Sequence, residues 1–234
     1  MRPQIKLAFA ASIALLLLPV PVALAAQKDL NQVLSQLDAA AANFRSTSAD
    51  FEFITEQTDP IPDKDIQKGT VDYKRNGKNF QMAAHIREEN GKPVPKDLTY
   101  KDGKVLLYDK LTNQVHVKDA AKYESYLLLG FGASGKELAD KWNIKYLGSE
   151  ALKDGATSVD TEKLELVAKD SDVLNLFPRV IIWIDPVRGV SLKQYFDEGQ
   201  GQSRTCFYFN IKVNQPPRDS DFTFKTDSQT TYIK

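Results

Sequence analysis

The stretch Lys96–Lys118, KDLTYKDGKVLLYDKLTNQVHVK, decides how the rest of the chain reads. Leu98 and Tyr100, then Val105 and Leu107, then Val115 and Val117 alternate with polar neighbours, which is the period of a strand with one wet face. Two turns divide them. Asp102-Gly103 supplies the first, because glycine enters the left-handed region freely and aspartate caps nearby amides. Leu111-Thr112-Asn113 supplies a looser second. Strands joined so tightly are antiparallel, and their apolar face needs a cover, so the expectation is a meander with helices on one side.

Strands continue in both directions. Gly69–Lys74 (Val71, Tyr73) and Asn79–Ile86 (Phe80, Met82, Ala84) form a pair turned by Asn76-Gly77, and Ser48–Glu56 precedes them with Phe51 and Phe53 alternating against Glu52. Residues 58–65 and 87–97 each hold two prolines and are expected as surface loops. Leu30–Phe44 carries Leu30, Val33, Leu34, Leu37, Ala41 and Phe44 at helical spacing, with Asp29 as its N-cap. Beyond the meander, residues 119–141 change character. Tyr123, Tyr126 and Leu127–Leu129 form a helical apolar cluster, Gly130–Gly135 interrupts it, and Lys136–Trp142 resumes the helix. This segment reads either as a glycine-hinged lid or as a plain core helix. Further strands are expected at Asn143–Leu147, Leu164–Lys169, Val180–Asp185, Ser191–Phe196, Cys206–Val213 and Phe222–Lys225. That makes about ten strands in one β domain, with no internal repeat.

The first 25 residues read as an export signal. Arg2 and Lys6 form a basic start, Leu7–Leu18 an apolar run too short to span a bilayer comfortably, and Ala23-Leu24-Ala25 a cleavage pattern. Residues 26–234 are then the mature domain. Losing Arg2 and Lys6 takes 31 basic residues to 29 against 31 acidic, a net charge near −2 that gives no basis for nucleic-acid binding. Cys206 is the only cysteine, so no internal disulfide can form and no cysteine stands near the cleavage site to carry a lipid. Export without disulfides points to a bacterial periplasm.

Catalytic constellations are wanting. Gly130–Lys136 has the look of a phosphate loop, but Glu137 stands where a magnesium-binding Ser or Thr is needed. His85 and His116 lie in strands without ligand-forming neighbours, so neither a metal nor a cofactor is expected. Cys206, followed by Phe207, Tyr208 and Phe209, reads as a buried thiol. What stands out is an apolar sheet face with more bulk than one helix covers. Phe51, Phe53, Val71, Tyr73, Phe80, Met82, Trp183 and Phe209 are its candidates. They either fill a closed core or line a cavity for a hydrophobic ligand.

The N-terminal helix ending in Phe44, Ala49-Asp-Phe-Glu-Phe53, Gly69-Thr-Val-Asp-Tyr-Lys-Arg75, Leu98-Thr-Tyr-Lys-Asp-Gly-Lys-Val-Leu-Leu-Tyr108, Gln114-Val115 and Phe222-Thr-Phe224 together resemble the LolA family of periplasmic carriers for outer-membrane lipoproteins. The resemblance implies an unclosed antiparallel β-barrel of about eleven strands, with an N-terminal helix and a helical lid. It also implies acyl chains as ligand, an inner-membrane ABC lipoprotein-releasing transporter as donor, an outer-membrane acceptor, and a monomeric, non-enzymatic carrier. Phe51, Phe53, Tyr73, Phe80, Met82, Leu128 and Phe131 would line the cavity, and Arg75 would latch the lid, unless it is simply a solvated charge beside the Asn76-Gly77 turn. Asn76 replaces the family's usual proline after that arginine. The alternatives are a lipid-binding sensor or lipid transporter of the same fold, and, less favoured, an envelope-lipid hydrolase. Family sensors carry an added C-terminal domain, and Phe222–Phe224 lying near Lys234 favours the carrier.

Overall fold

The computed structural model describes residues 29–76, 79–127 and 129–234. The export signal, Gly77 and Leu128 lie outside the described residues. Helix α1, Leu30–Asn43, starts where Asp29 accepts the Gln32 N–H at 2.7 Å and buries Val33 and Leu37 completely. It stops one residue earlier than its apolar spacing suggests, because Phe44 turns extended and leads directly into strand β1, Ser46–Gln57.

The strands that follow are β2 (Asp63–Asn76), β3 (Asn79–Glu89), β4 (Lys92–Lys101), β5 (Lys104–Asp109) and β6 (Gln114–Asp119). A single turn of 3-10 helix (Ala121–Tyr123), α2 (Glu124–Leu127) and α3 (Gly135–Lys141) form the helical excursion. Then come β7 (Trp142–Asp154), β8 (Thr157–Ala168), α4 (Ser171–Leu176), β9 (Arg179–Asp185), β10 (Val190–Gly199), β11 (Gln202–Val213), a second 3-10 turn (Asp219–Phe222) and β12 (Thr231–Ile233). Among the described residues these strands make one twelve-stranded sheet in the order β12-β6-β5-β4-β3-β2-β1-β11-β10-β9-β8-β7. All pairs are antiparallel except β12 with β6, and β7 and β12 end the two sides without meeting. The sheet is an unclosed barrel.

Two expectations fail locally. Residues 87–97 are not a loop: β3 and β4 run through them and turn at Asn90-Gly91, both at positive φ. Pro93 keeps its place opposite Glu88, and the register shift between Ile86 and Glu88 leaves Val94 and Pro95 outside the regular pairing. Phe222–Lys225 is not a strand. Asp221 caps back to the Arg218 N–H at 2.9 Å and winds a 3-10 turn, while Phe222 is buried and Phe224 stacks on Tyr108 at 5.0 Å. Their alternation serves two separate contacts rather than one pleated face.

The inner face carries two apolar clusters. Over β7–β10, α1, α3 and α4 supply Val33, Leu37, Leu138 and Val173 against Leu164, Leu166, Ile182 and Phe196. Over β1–β4 and β11 the cluster holds Phe51, Val71, Tyr73, Met82, Tyr100 and Tyr208, and among the described residues no long helix covers it.

Candidate functional site

The second cluster encloses a cavity of about 420 Å³. Its walls come from residues of seven neighbouring strands: Phe51 and Phe53 (β1), Val71 and Tyr73 (β2), Met82, Ala84 and Ile86 (β3), Leu98 (β4), Val105 (β5), Phe196 (β10), and Cys206 and Tyr208 (β11). Register keeps them together: Phe51 lies opposite Tyr208, Phe53 opposite Cys206, and Tyr73 opposite Met82. Tyr126 and Leu127 of the helical excursion form the ceiling.

Of the candidates named from sequence, Phe51, Phe53, Tyr73 and Met82 stand on this wall. Phe80 lies beyond it, stacked at 4.7 Å on Tyr100. Phe131 plugs the inner end, stacked at 4.1 Å on Tyr73 and edge-on at 4.8 Å to Tyr208, with 1% of its surface exposed. Trp183 and Phe209 point the other way. Trp183 on β9 and Phe207 and Phe209 on β11 face outward: Trp183 lies between Lys163 and Lys193, and Phe209 lies in a recess with Leu152 and Phe207 where the β7–β8 hairpin folds back. Gln67, Tyr126, Gln194 and Arg204 also line the cavity. The parity of Cys206 and Tyr208, extended two residues back, would have found Arg204 from sequence.

Arg75 continues the inward parity of Val71 and Tyr73 and reaches Glu137 of α3 at 3.9 Å. Glu137 is itself half of a capping box with Ser134, whose hydroxyl accepts the Glu137 N–H at 3.1 Å. At the start of α3 Asp38 accepts the Lys136 N–H at 3.0 Å, so the amides of Lys136 and Glu137 are both taken by side chains of this chain. Several other ties hold the excursion to the sheet. Tyr100 donates to Glu124 at 2.9 Å, Ser191 N–H to the Gly130 carbonyl at 2.7 Å, and Gly132 N–H to the Gly189 carbonyl at 2.9 Å. The Gln194 amide donates to the Leu129 carbonyl and accepts from the Tyr208 hydroxyl at 3.2 Å.

The glycines of this segment are close-packing residues rather than a hinge. Gly130 and Gly132 sit at φ +77° and +70°, and a Cβ on them would overlap Ser191 and the Phe44 ring respectively. Burial sets the protonation of the site. The Cys206 thiol is pushed up to about 12, and Tyr73 and Tyr208 are likewise raised by burial, so at neutral pH each is a neutral wall element. Tyr126 is pushed up to about 12, by burial first, with the nearby Arg204 guanidinium drawing it back.

No family model and no curated protein matches the sequence. Solved structures match its fold. MucB superposes with a TM-score of 0.52 at 12% identity over 87% of this chain, which spans 65% of the MucB chain. MucB has also been solved in complex with MucA(peri). An uncharacterized conserved protein from Thermus thermophilus superposes with a TM-score of 0.51 at 11% identity, covering 88% of this chain and 99% of that one. A domain named for outer-membrane lipoprotein sorting, from Vibrio parahaemolyticus, matches more loosely, with a TM-score of 0.45 at 12% identity over 83% of this chain and 97% of its own. At 11–12% identity these likenesses speak to the fold alone. No helix among the described residues is long and apolar enough to cross a membrane.

Proposed function

We propose that the chain is a periplasmic carrier that shields acyl chains, those of lipoproteins in transit from inner to outer membrane, between its open sheet and the Ala121–Lys141 cover. The observation that carries this reading is the cavity of about 420 Å³ with a mainly apolar wall, which no helix among the described residues fills. Each exposed methylene costs about 0.8 kcal/mol, so a chain of a dozen costs roughly 10 kcal/mol in water, and a covered groove removes that barrier. An inner-membrane ABC transporter would load it and an outer-membrane acceptor would unload it. Arg75, through Glu137, would be one tie on the cover. The reading is of a binding protein: Ser134 is spent as a helix cap, and His116 sits on β6 opposite Leu107, away from the cavity.

Native mass spectrometry with lipid extraction, on protein purified from the periplasm, tests this for wild type and Arg75→Leu. Acylated lipoprotein should co-purify, and more of it with the variant. Protein that emerges empty and fails to take up an apolar fluorescent probe would overturn the reading. A second reading, a lipid-responsive adaptor that binds a partner protein, is favoured by the fold shared with MucB. A stable protein partner in the same preparation, bound without acyl chains, would select it.

A further inference from the structure

The inner wall changes chemistry at one end. Inward positions on β11 run Tyr208, Cys206, Arg204, so a guanidinium closes a row that is otherwise apolar or neutral. Arg204 Nε donates to Glu198 Oε1 at 2.5 Å, and Glu198 occupies the bulged position between Asp197 and Gly199 on β10. Arg204 is 38% exposed and Glu198 12%, so the guanidinium is the more open partner of the pair. Nε is the nitrogen engaged with Glu198, which leaves the two terminal amino groups of the fork, and Tyr126 of the cover lines the same cavity as Arg204. At the opposite end Phe131 and Tyr73 shut the cavity with stacked rings. The volume sits near the low end of the roughly 300–1,000 Å³ typical of single-ligand sites, so with the cover in place one chain fits and three do not.

We propose that the cavity selects a single acyl chain ending in an oxyanion, a carboxylate or a phosphate, with Arg204 and the Tyr126 hydroxyl as the headgroup subsite. The proposal rests on the acyl-chain reading above and adds a single-chain ligand to it, since the ester- and amide-linked chains of a lipoprotein end in no oxyanion. The planar guanidinium matches either oxyanion with two parallel N–H···O bonds, and Glu198 is the internal carboxylate that such a head displaces. Because Glu198 competes for the same fork, the charge contributes about tenfold in affinity, the low end for a charge-assisted bond.

Displacement of a neutral apolar fluorescent probe by oleate, oleyl alcohol and oleoyl lysophosphatidylglycerol tests it in the intact protein. Oleate or the lysophospholipid should bind wild type about tenfold more tightly than the alcohol, and the tighter of the two identifies the head. Arg204→Gln should remove that preference while the alcohol still displaces the probe. Glu198→Gln should widen it, which guards against a variant that merely misfolds. Equal binding of acid and alcohol by wild type, or a preference that survives Arg204→Gln, would overturn the subsite while leaving the acyl-chain reading standing. A protein that binds the probe but releases it to none of the three chains would overturn both.

Discussion

Replacing Arg75 by leucine should loosen the cover only slightly, and replacing Phe131 by alanine should loosen it greatly. The Arg75–Glu137 pair spans 3.9 Å and Glu137 is more than half exposed. An ion pair of that geometry contributes at most about 1 kcal/mol, and Glu137 keeps its capping role when Arg75 is gone. The opening equilibrium then shifts by no more than about fivefold. Phe131 is 1% exposed between Tyr73 and Tyr208, and truncating such a ring costs about 3–5 kcal/mol, or more than a hundredfold. Amide hydrogen exchange reads this directly at Gly132 and Ser191, whose N–H groups bond the Gly189 and Gly130 carbonyls across the seam, with the amides of β9 as the reference for global unfolding. A tenfold or larger acceleration in Arg75→Leu, or an effect of Phe131→Ala no greater at the seam than in β9, would refute the reasoning.

Three further substitutions follow from the same geometry. Gly132→Ala should cost about 2–4 kcal/mol in thermal or urea unfolding, since it meets both a left-handed backbone and the Phe44 ring, whereas Gly91→Ala, at φ +75° with open space around it, should cost about 1 kcal/mol; equal losses would remove the packing argument. Asp97 is buried among His85, Lys110 and Arg87, and although burial alone would raise its carboxyl, those three partners hold it well below the usual carboxylate range. A lowered folded value means its contribution is complete above about pH 4 and fades as pH falls towards the lowered value, so Asp97→Asn should cost about 2 kcal/mol at pH 7 and progressively less below pH 4; a cost that does not vary with pH would contradict the assignment. Cys206 stands on the cavity wall with its thiol at about 12, so maleimide labelling at pH 8 should be slow, accelerated by Phe131→Ala, and slowed by oleate; rapid labelling of folded wild type would place the thiol elsewhere.

The sheet was legible because period two is a local property that tertiary context mostly preserved. Phe51/Phe53, Val71/Tyr73 and Phe80/Met82 alternate in sequence and lie on one face in space. Where patterning misled, a long-range contact had overridden it. Phe222 and Phe224 alternate as a strand would, yet Phe222 ends a 3-10 turn while Phe224 stacks on Tyr108, and Pro95 falls in a register shift that no local rule announces. Outward aromatics were equally misleading: Trp183 is 5% exposed although it faces away from the cavity, because Lys163 and Lys193 flank its ring. Burial on a folded-back sheet has two sides, and alternation alone does not say which side is the cavity. Arg204 was missed for the converse reason, that a charged residue at a strand start reads as solvated until its register is known.

Placing Phe131 at the closed end rather than on the wall changes how loading is understood. A multichain lipid anchor cannot enter about 420 Å³ with the cover in place, so Phe131 must leave the slot between Tyr73 and Tyr208. That departure costs about 3–5 kcal/mol, and burial of methylenes at about 0.8 kcal/mol each offsets it once roughly four to six of them have entered. The acyl chain itself is therefore sufficient as the wedge, and the surface pair of Arg75 and Glu137 can trim the equilibrium without controlling it. A single chain should bind without displacing Phe131, while an anchor of two or three chains should expose it. The fluorescence of Phe131→Trp with one-, two- and three-chain lipids checks this. A red shift confined to the multichain lipids supports the wedge, and a shift independent of chain number rules it out.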